Sequence, residues 1–299
     1  MADPINVTNA AEENLIVADN MKKVREVDFV RRFTHTNLNK FLEVIGVTRR
    51  ISMQEGTTLY MYTIDGTLED GDVAEGEIIP LSEYEQTKTP VGAISLKKWR
   101  KAASAEAIVK SGYESAVRDT DAKMLRDAQA YVRNELFTFI NGTITGASTA
   151  TGVDLQSALA AAWGELQTLF ENDAAEPVYF VHPMDIATYL GAAAITTQTA
   201  FGLNYIEDFL GLGTVIITSQ VTQGTFLATA KENLVMYYLN MNGDLSKAFG
   251  LTTDETGFIG INSGYATNER MQVETLVACG IDILVEYAAG VVKGTINPS

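Results

Sequence analysis

Short alternation of apolar and polar positions characterises the chain between about residues 47 and 103. Residues 58–64 read TLYMYTI, and this run of β-branched and aromatic side chains predicts a strand. A second strand is predicted from Glu85 to Leu96, after an acidic, glycine-bearing segment with turn chemistry. Together they predict a long hairpin whose far end is too polar to be core on either face. Because an isolated two-stranded ribbon is marginally stable in water, we expect this hairpin to rest on a partner.

After the hairpin, apolar residues recur at the spacing of a helix. Ser111-Gly112-Tyr113-Glu114 has the spacing of a capping box, which marks a helix start. From Tyr113 to Ile140 apolar residues recur at helical spacing without an internal Gly or Pro, and Asn141-Gly142 supplies a stop. Such a helix is about 40 Å long and can serve as the spine of a domain. Residues 142–152 (GTITGASTATG) predict a flexible or turn-forming connection and a domain boundary.

The remaining pattern predicts a compact α+β region and several closing strands. The central region has helices at 154–170 and 184–190 and strands at 177–181, 214–218, 225–229 and 232–238. Closing strands are predicted at 272–279, 281–287 and 290–296. They lack an independent core, so we expect them to pack on the long helix. The first forty or so residues have no clean period and predict an extended or partly helical arm, of the kind that becomes ordered on another surface, often a neighbouring chain.

Charge is segregated into blocks along the sequence. Residues 1–20 carry acids and no base, and a basic group follows at 22–32. Residues 51–87 contain nine acids and no Lys or Arg, and residues 88–101 contain five bases and no acid. From Asn134 to Ala230 there is again no Lys or Arg. The candidates for contacts between subunits are Asp70, Asp72, Glu75 and Glu77 among the acids, and Lys22, Lys23, Arg25, Arg31, Arg32, Lys97, Lys98, Arg100 and Lys101 among the bases.

These blocks have two interpretations. Each can be a solvated face that touches nothing. Alternatively, the acidic stretch of one subunit lies on a basic stretch of the next, because charge complementarity fixes register and excludes wrong partners.

Composition narrows the class of protein. The chain has 299 residues, of which 46% are hydrophobic, and a formal net charge of −16, which describes a folded protein of one large or two ordinary domains. The acidic balance disfavours nonspecific attraction to nucleic acid or anionic lipid. One cysteine, Cys279, makes no intramolecular disulfide, so a reducing compartment fits best. The N-terminus lacks the basic region of a signal peptide, and no window is long and apolar enough for a membrane helix.

The sequence predicts no catalytic, cofactor-binding or metal-binding residue. His35 and His182 are the two histidines, and neither has a metal-like partner nearby in the sequence. Cys279 lies in an apolar run that keeps a thiol protonated and inert. There is no phosphate-binding loop, no complete dinucleotide fingerprint and no nucleophile elbow. A carboxylate pair of the glycosidase type stays open, although most acids lie where burial cannot raise their pKa.

The order of elements and several local segments resemble the major capsid proteins of tailed bacteriophages, the Hong Kong 97-like family. The opening of the long helix, Ser111-Gly-Tyr-Glu-Ser-Ala-Val-Arg-Asp-Thr, is similar to that of capsid proteins from phages of Gram-positive hosts. The segments Tyr179-Phe-Val-His-Pro-Met-Asp-Ile-Ala-Thr-Tyr-Leu, Asp208-Phe-Leu-Gly, Lys231-Glu-Asn-Leu and Val291-Val-Lys-Gly-Thr-Ile are similar to their central and final parts. The resemblance covers about residues 40 to 297 and is distributed, without an invariant catalytic signature.

This resemblance implies an α+β fold with four parts. They are an N-terminal arm (1–45), an extended β-hairpin loop (46–103), a peripheral domain (104–151 and 243–299) with its spine helix at 112–141, and an axial domain (152–242). It implies a structural protein, not an enzyme, that assembles into pentamers and hexamers of an icosahedral shell. The implied partners are copies of itself, a separate scaffold protein, a portal, and enclosed double-stranded DNA held without sequence-specific binding. The implied location is the virion, after synthesis in the bacterial cytoplasm.

Two other hypotheses remain at this point. An encapsulin-type nanocompartment shell has the same fold but encloses a cargo enzyme. A hydrolase with paired carboxylates belongs to another class, and it predicts a monomer or small oligomer whose size does not depend on concentration.

Overall fold

The computed structural model describes residues 18–141, 144, 146–170, 175–190, 197–267 and 271–296. The helices are α1 (Ala18–Arg31), α2 (Asn39–Val44), α3 (Ala105–Ser111), α4 (Thr120–Asn141), α5 (Leu155–Leu169), α6 (Pro183–Leu190) and α7 (Asp244–Phe249). The strands are β1 (Arg49–Met53), β2 (Thr58–Thr67), β3 (Glu83–Ala93), β4 (Lys97–Ser104), β5 (Ser148–Gly152), β6 (Pro177–Val181), β7 (Gln198–Ala200), β8 (Leu203–Ile206), β9 (Thr214–Ile217), β10 (Thr225–Ala230), β11 (Leu234–Leu239), β12 (Ile259–Thr267), β13 (Gln272–Cys279), β14 (Ile281–Val285) and β15 (Val291–Ile296).

Four sheets organise these strands. One has seven strands in the order β5-β15-β10-β6-β9-β8-β7, and two have three strands each, β1-β11-β14 and β12-β13-β4. The fourth is the two-stranded ribbon β2-β3. Helices and several sheets in one chain make this a mixed α+β fold, as the sequence predicts. The predicted strands at 177–181 and 272–279 and the predicted helices at 154–170 and 184–190 are confirmed to within one or two residues at their ends.

The described part of the predicted arm is helical. Helix α1, a π-helical segment (Arg32–Leu38) and α2 follow one another without a break. Phe33 and Phe41 are buried and pack their rings against Phe201, with centroids 6.1 and 5.6 Å apart. Residues 18–44 are therefore helical, within the expectation of an extended or partly helical arm, and they pack against the core of their own chain. Residues 1–17 of the predicted arm lie outside the described residues.

The predicted hairpin is present and protrudes. Strands β2 and β3 pair antiparallel from Thr58↔Ala93 to Thr67↔Glu83, with a bulge at Leu59/Tyr60. Leu59 and Met61, near its base, are buried, whereas β3 is exposed along nearly its whole length. The connecting loop, residues 68–82, has no helix or strand, and the Glu69 backbone N–H donates to the Ser82 hydroxyl across its neck at 3.1 Å. The prediction of a long hairpin whose far end forms no core is confirmed.

The basic stretch at 97–101 does not belong to this ribbon. Strand β4 pairs antiparallel with β13, from Lys97↔Cys279 to Ser104↔Gln272, and so joins a different sheet. The reason is its alternating pattern, which turns Trp99 inward against Tyr131 of α4, with ring centroids 5.5 Å apart, and leaves Arg100 exposed. The sequence placed this stretch within the extended loop, and the pairing of β4 shows that the ribbon itself ends at Ala93.

The long helix forms and begins where the sequence predicts it, directly after Gly112, where the Ala116 N–H donates to the Gly112 carbonyl at 3.1 Å. A π-helical segment (Glu114–Asp119) leads directly into α4. Ser111 ends α3, whose N-cap is Ser104, with its hydroxyl accepting from the Ala107 N–H at 3.3 Å. Gly112 then has φ of 79° and ψ of 152°, a backbone conformation that residues with a side chain rarely adopt, and it separates α3 from the long helix. The start of the long helix therefore agrees with the prediction, whereas the short helix α3 directly before it was not predicted.

The central strand β6 lies between two layers of core, and all five of its residues are buried. Val178 and Phe180 face the layer that contains α4, where Phe137 meets Phe180 edge to face at 5.8 Å. Tyr179 and Val181 face α5 and α6. A strand buried on both faces reads as a continuous apolar run, which is how Pro177–Val181 appears in the sequence.

The strands at the end of the chain join different sheets. Strand β14 packs against α4, as expected. Strand β15 is hydrogen-bonded between β10 and β5 and is thus a member of the seven-stranded sheet. The last described strand therefore lies in the sheet built largely from residues 177–230, a placement that the sequence did not predict.

Candidate assembly surfaces

The four acidic candidates lie together on the loop that joins β2 to β3. Asp70, Asp72, Glu75 and Glu77 are all exposed, and the structure gives none of them an ion pair with any described residue of the chain. Asp70 makes a local turn, in which its Oδ1 accepts from the Asp72 N–H at 3.0 Å. The loop thus presents uncompensated negative charge to solvent.

Two of the basic candidates are engaged inside the molecule. Arg25 Nε lies 3.2 Å from Asp121 Oδ2, and Lys101 Nζ lies 2.5 Å from Asp121 Oδ1. Lys101 also donates to the Val117 carbonyl at 2.7 Å. Partial burial lowers the pKa of Lys101, against the opposing effect of Asp121. These side chains join α1 and β4 to the start of α4, so their charge is used within the chain.

Other basic candidates have weaker engagements. Lys97 lies over the Tyr131 ring, 5.4 Å from its centroid, and its hydrogen bond to Tyr131 raises the pKa of this lysine. Arg100 is 3.7 Å from Glu274 of the adjacent strand. Arg32 pairs with Asp28 one helical turn earlier at 2.9 Å, and both are exposed.

Three other basic candidates with described side chains are free to meet a partner. Lys23, Arg31 and Lys98 are exposed, and no ion pair joins them to a described residue. Lys22 lies in α1. The structure therefore brings the predicted bases to two places, α1 with the start of the π-helical segment that follows it, and β4, and it brings the acids to a third, the loop 68–82.

The tip of the acidic loop is apolar, a feature that was not predicted from the sequence. Ile78, Ile79 and Leu81 flank Pro80, and Ile78 and Leu81 are 94% and 93% exposed. We call residues 78–81 the apolar tip. Its signal in the sequence is four consecutive apolar residues among acids, where a solvated turn is expected to be polar.

A groove on another part of the surface was also missed. It has a volume of about 460 Å³ and lies between α7 and the outer face of β12-β13-β4. We call it the α7 groove, and its lining residues are Arg100, Ala248, Phe249, Asn262, Glu274 and Leu276. Phe249 lies at the edge of the groove and is 55% exposed. The side-chain amide of Asn262 donates a hydrogen bond to the Phe249 carbonyl at 2.7 Å. These residues come from separate parts of the chain, so no local motif marks them.

Three residues were considered for catalysis or metal binding, and the structure shows the burial or the contacts of each. Cys279 is fully buried, and burial raises the pKa of its thiol to about 12. His182 Nδ1 accepts from the Met184 N–H at 3.2 Å, where β6 turns into α6. His35 Nε2 lies 3.2 Å from Asp254. In the described ranges there is no group of three or more His, Cys, Asp or Glu side chains suited to a metal ion. No helix among the described residues is long and apolar enough to span a membrane.

Comparison with known proteins shows which solved structures share this fold. No protein-family model matches the sequence, and no curated protein matches it. The mature capsid of bacteriophage PhiM1 matches with a TM-score of 0.53 at 9% identity, over 86% of this chain and 87% of that one. The capsid of cyanophage P-SCSP1u gives the same score and identity, over 86% and 88%. The SrpI encapsulin of Synechococcus elongatus matches with a TM-score of 0.45 at 13% identity, over 85% of this chain and 86% of that one. The chain has the fold of phage capsid proteins and related capsid-like shells.

Proposed function

We propose that this chain is the major capsid protein of a tailed double-stranded DNA bacteriophage, which assembles as pentamers and hexamers into an icosahedral shell around the genome. The observation that carries the proposal is the match of its fold, over most of both chains, to subunits of two phage capsids. A subunit that tiles a closed shell needs different complementary surfaces on one molecule. The separate acidic loop and basic elements of this chain supply such surfaces.

The parts of the chain have distinct roles in this proposal. Residues 1–45 are the N-terminal arm, 46–103 the extended loop, 104–151 and 243–299 the peripheral domain, and 152–242 the axial domain. The unpaired acids of the loop, Asp70, Asp72, Glu75 and Glu77, contact a basic surface of a neighbouring subunit. Lys23, Arg31 and Lys98 are the most available bases for that contact, because Arg25 and Lys101 are already bound to Asp121.

The net charge of the chain supports a shell that encloses DNA without binding it specifically. At −16, the surface repels DNA over most of its area, so retention of the genome follows from closure of the shell and not from sequence-specific binding. The partners in this proposal are copies of the chain, a separate scaffold protein, a portal and the enclosed DNA, with no membrane. The protein is a structural component of the virion, made in the bacterial cytoplasm, and not an enzyme.

Particle size and contents test the proposal. The purified protein is examined by light scattering and negative-stain microscopy across concentration and salt, alone and after co-expression with neighbouring genes. Rings of five or six, sheets or shells are expected, and shells from infected or induced cells should contain DNA. A protein cargo in place of DNA would establish the encapsulin alternative. A monomer that persists under every condition, with and without the co-expressed genes, would overturn the shell function.

A further inference from the structure

A cavity with a volume of about 450 Å³ lies between α5 and α6. Its walls come from the start of α5, one face of α6, the turn before β10 and the end of β15. The volume falls within the range of about 300–1,000 Å³ that is typical of ligand pockets. Its described lining residues include none from the loop 68–82, α1 or β4, so the cavity is separate from the candidate assembly surfaces.

Part of the cavity wall is apolar. Leu155 and Ile296 line it, and Val153, which is 63% exposed, lies at its rim. Tyr189 of α6 also lines it, and the ring of this tyrosine packs against Phe209 with centroids 5.2 Å apart. This contact restrains the ring before any ligand arrives. Such a wall favours a ligand with a hydrocarbon part, because binding removes apolar surface from water on both sides.

Two carboxylates, those of Asp154 and Asp185, line the same cavity. Asp154 Oδ1 accepts from the Ser157 N–H at 2.7 Å, and Asp185 Oδ2 accepts from the Gly224 N–H at 2.9 Å. The hydrogen bonds from Ser157 lower the pKa of Asp154, so this group is ionised at neutral pH. Each carboxylate is thus oriented through one of its oxygens, and no ion pair joins either of them to a described residue.

No described base neutralises these carboxylates from the cavity wall. The described lining residues include no Lys or Arg. Lys293 of β15 is close in sequence to Ile296, but Val292 and Ile296 face the α5 side of the sheet. Because side chains alternate along a strand, Lys293 faces the other side. The charge of the cavity is therefore set by the two acids and the helices that carry them.

The helices reduce this charge without removing it. Asp154 is the N-cap of α5, and Asp185 lies in the first turn of α6. The N-terminus of a helix carries about half a positive charge, so the two helices together offset about one of the two negative charges. The cavity retains about one negative charge, which a single positive charge balances.

These properties exclude most classes of ligand. An anion is repelled by the carboxylates. A neutral apolar molecule removes water from them and offers no hydrogen bond in return, which is costly. A dication brings more positive charge than the cavity balances. A monocation with a hydrocarbon part satisfies both the acids and the apolar wall.

We infer that this cavity binds a small organic monocation, with a primary ammonium group facing Asp154 and Asp185 and a hydrocarbon part against Leu155, Tyr189 and Ile296. An ammonium group has three N–H donors, enough to reach both carboxylates. Tyr189 adds an aromatic ring, which attracts a cation placed over its face. The inference goes beyond the proposed shell function and does not depend on it, because every residue of the site belongs to one chain.

A series of probes with the same six-carbon chain tests the ligand class on the wild-type protein. Isothermal titration calorimetry at pH 7 measures the binding of n-hexylamine, 1-hexanol, hexanoate and 1,6-diaminohexane to the purified full-length chain. Hexylamine is protonated at this pH, as lysine is. We expect hexylamine to bind at least about 10-fold more tightly than hexanol and hexanoate, and more tightly than the diamine.

Substitutions test the location of the site. Asp154→Asn and Asp185→Asn remove one charge each and retain a side-chain oxygen as an acceptor, and Asn caps a helix as well as Asp does. Each should weaken hexylamine binding about 10-fold. Thr188→Lys places an ammonium group on the exposed rim of the cavity and should abolish binding. Glu165→Gln removes an exposed acid of α5 outside the cavity, and this control should bind hexylamine as the wild type does.

The results separate this inference from the shell function. Equal affinities for hexylamine and hexanol would show an apolar cavity without selection for charge, and binding of the diamine as tight as that of hexylamine would refute the preference for a monocation. Unchanged affinity in both Asn variants, or an equal loss in the Glu165→Gln control, would overturn the site. Absence of hexylamine binding to the folded wild type would also overturn it. None of these outcomes alters the proposed role in a shell.

Discussion

Glu26 of α1 and Ser263 of β12, 237 residues apart in sequence, are joined by two hydrogen bonds. The Ser263 backbone N–H and hydroxyl both donate to Oε1 of the Glu26 carboxylate, at 2.6 and 2.9 Å. The Thr252 hydroxyl donates to the other oxygen, Oε2, at 2.6 Å. Glu26 is only 3% exposed, so this buried carboxylate fixes the first described helix to the β12-β13-β4 sheet.

Glu26→Ala should destabilise the fold by about 2–4 kcal/mol, because it leaves the buried donors of Ser263 and Thr252 without an acceptor. Chemical unfolding in urea, followed by circular dichroism, measures the change. Glu165→Ala, at an exposed position of α5, is the matched control and should change stability by no more than about 0.5 kcal/mol. Equal effects of the two substitutions would show that the carboxylate does not hold α1 in place.

Ala128→Pro should destabilise the protein by about 3 kcal/mol or more, because proline removes a hydrogen bond inside α4 and clashes with the preceding turn. Ala128 is buried and lies in the middle of the helix, so no fraying end can absorb the change. Thermal unfolding provides the measurement. Ala74→Pro, in the irregular loop 68–82, is the control and should retain nearly the wild-type melting temperature. A soluble Ala128→Pro variant with an unchanged melting temperature would contradict the role of α4 as a spine.

Reversal of the loop charges by Asp70→Lys, Asp72→Lys and Glu75→Lys should impair assembly while the monomer stays folded. All three acids are exposed and have no basic partner among the described residues of their own chain. Reversal replaces attraction to a neighbour's bases by repulsion. Electron microscopy gives the assembly readout, and circular dichroism checks the fold.

A second triple variant controls for net charge. Glu165→Lys, Glu232→Lys and Glu255→Lys change the total charge by the same amount at exposed positions away from the loop. This variant should still assemble. Normal particles from the loop variant, or equal loss of assembly in both variants, would refute a specific role for the acidic loop.

Cys279 should make the stability depend on alkaline pH. Burial raises the pKa of its thiol in the folded state to about 12, whereas a thiol in an unfolded chain titrates near about 8.5. The folded state therefore holds its proton longer. The contribution is complete below about pH 8.5 and is lost as the pH rises towards the folded pKa.

Urea unfolding at pH 8 and pH 10 measures this effect. The wild type should lose more unfolding free energy between the two pH values than Cys279→Ala, which lacks the group. The native thiol should also resist a thiol reagent until urea unfolds the chain. Identical pH dependence in the two proteins, or rapid labelling of the native state, would contradict the burial of Cys279.

The extent to which sequence predicted structure varied from element to element. Local periodicity was sufficient to predict α5 and β6. An apolar stripe at helical spacing predicts a helix with one face on the core, and a short continuous apolar run predicts a strand buried on both faces. Local periodicity also placed the start of the long helix after Gly112 correctly, but it did not predict α3, the short helix that Ser104 caps and that ends at Ser111.

The candidate contact residues show the same division. The sequence alone determined the charge blocks, the hairpin and the buried thiol, since these depend on composition and short-range pattern. Only the tertiary structure decided that Arg25 and Lys101 share Asp121, that β4 leaves the ribbon for β13, and that β15 joins the seven-stranded sheet. It also brought α7 beside β12-β13-β4 to form the groove. Such long-range pairings are set by which surfaces bury one another, and no local pattern in a single chain records that choice.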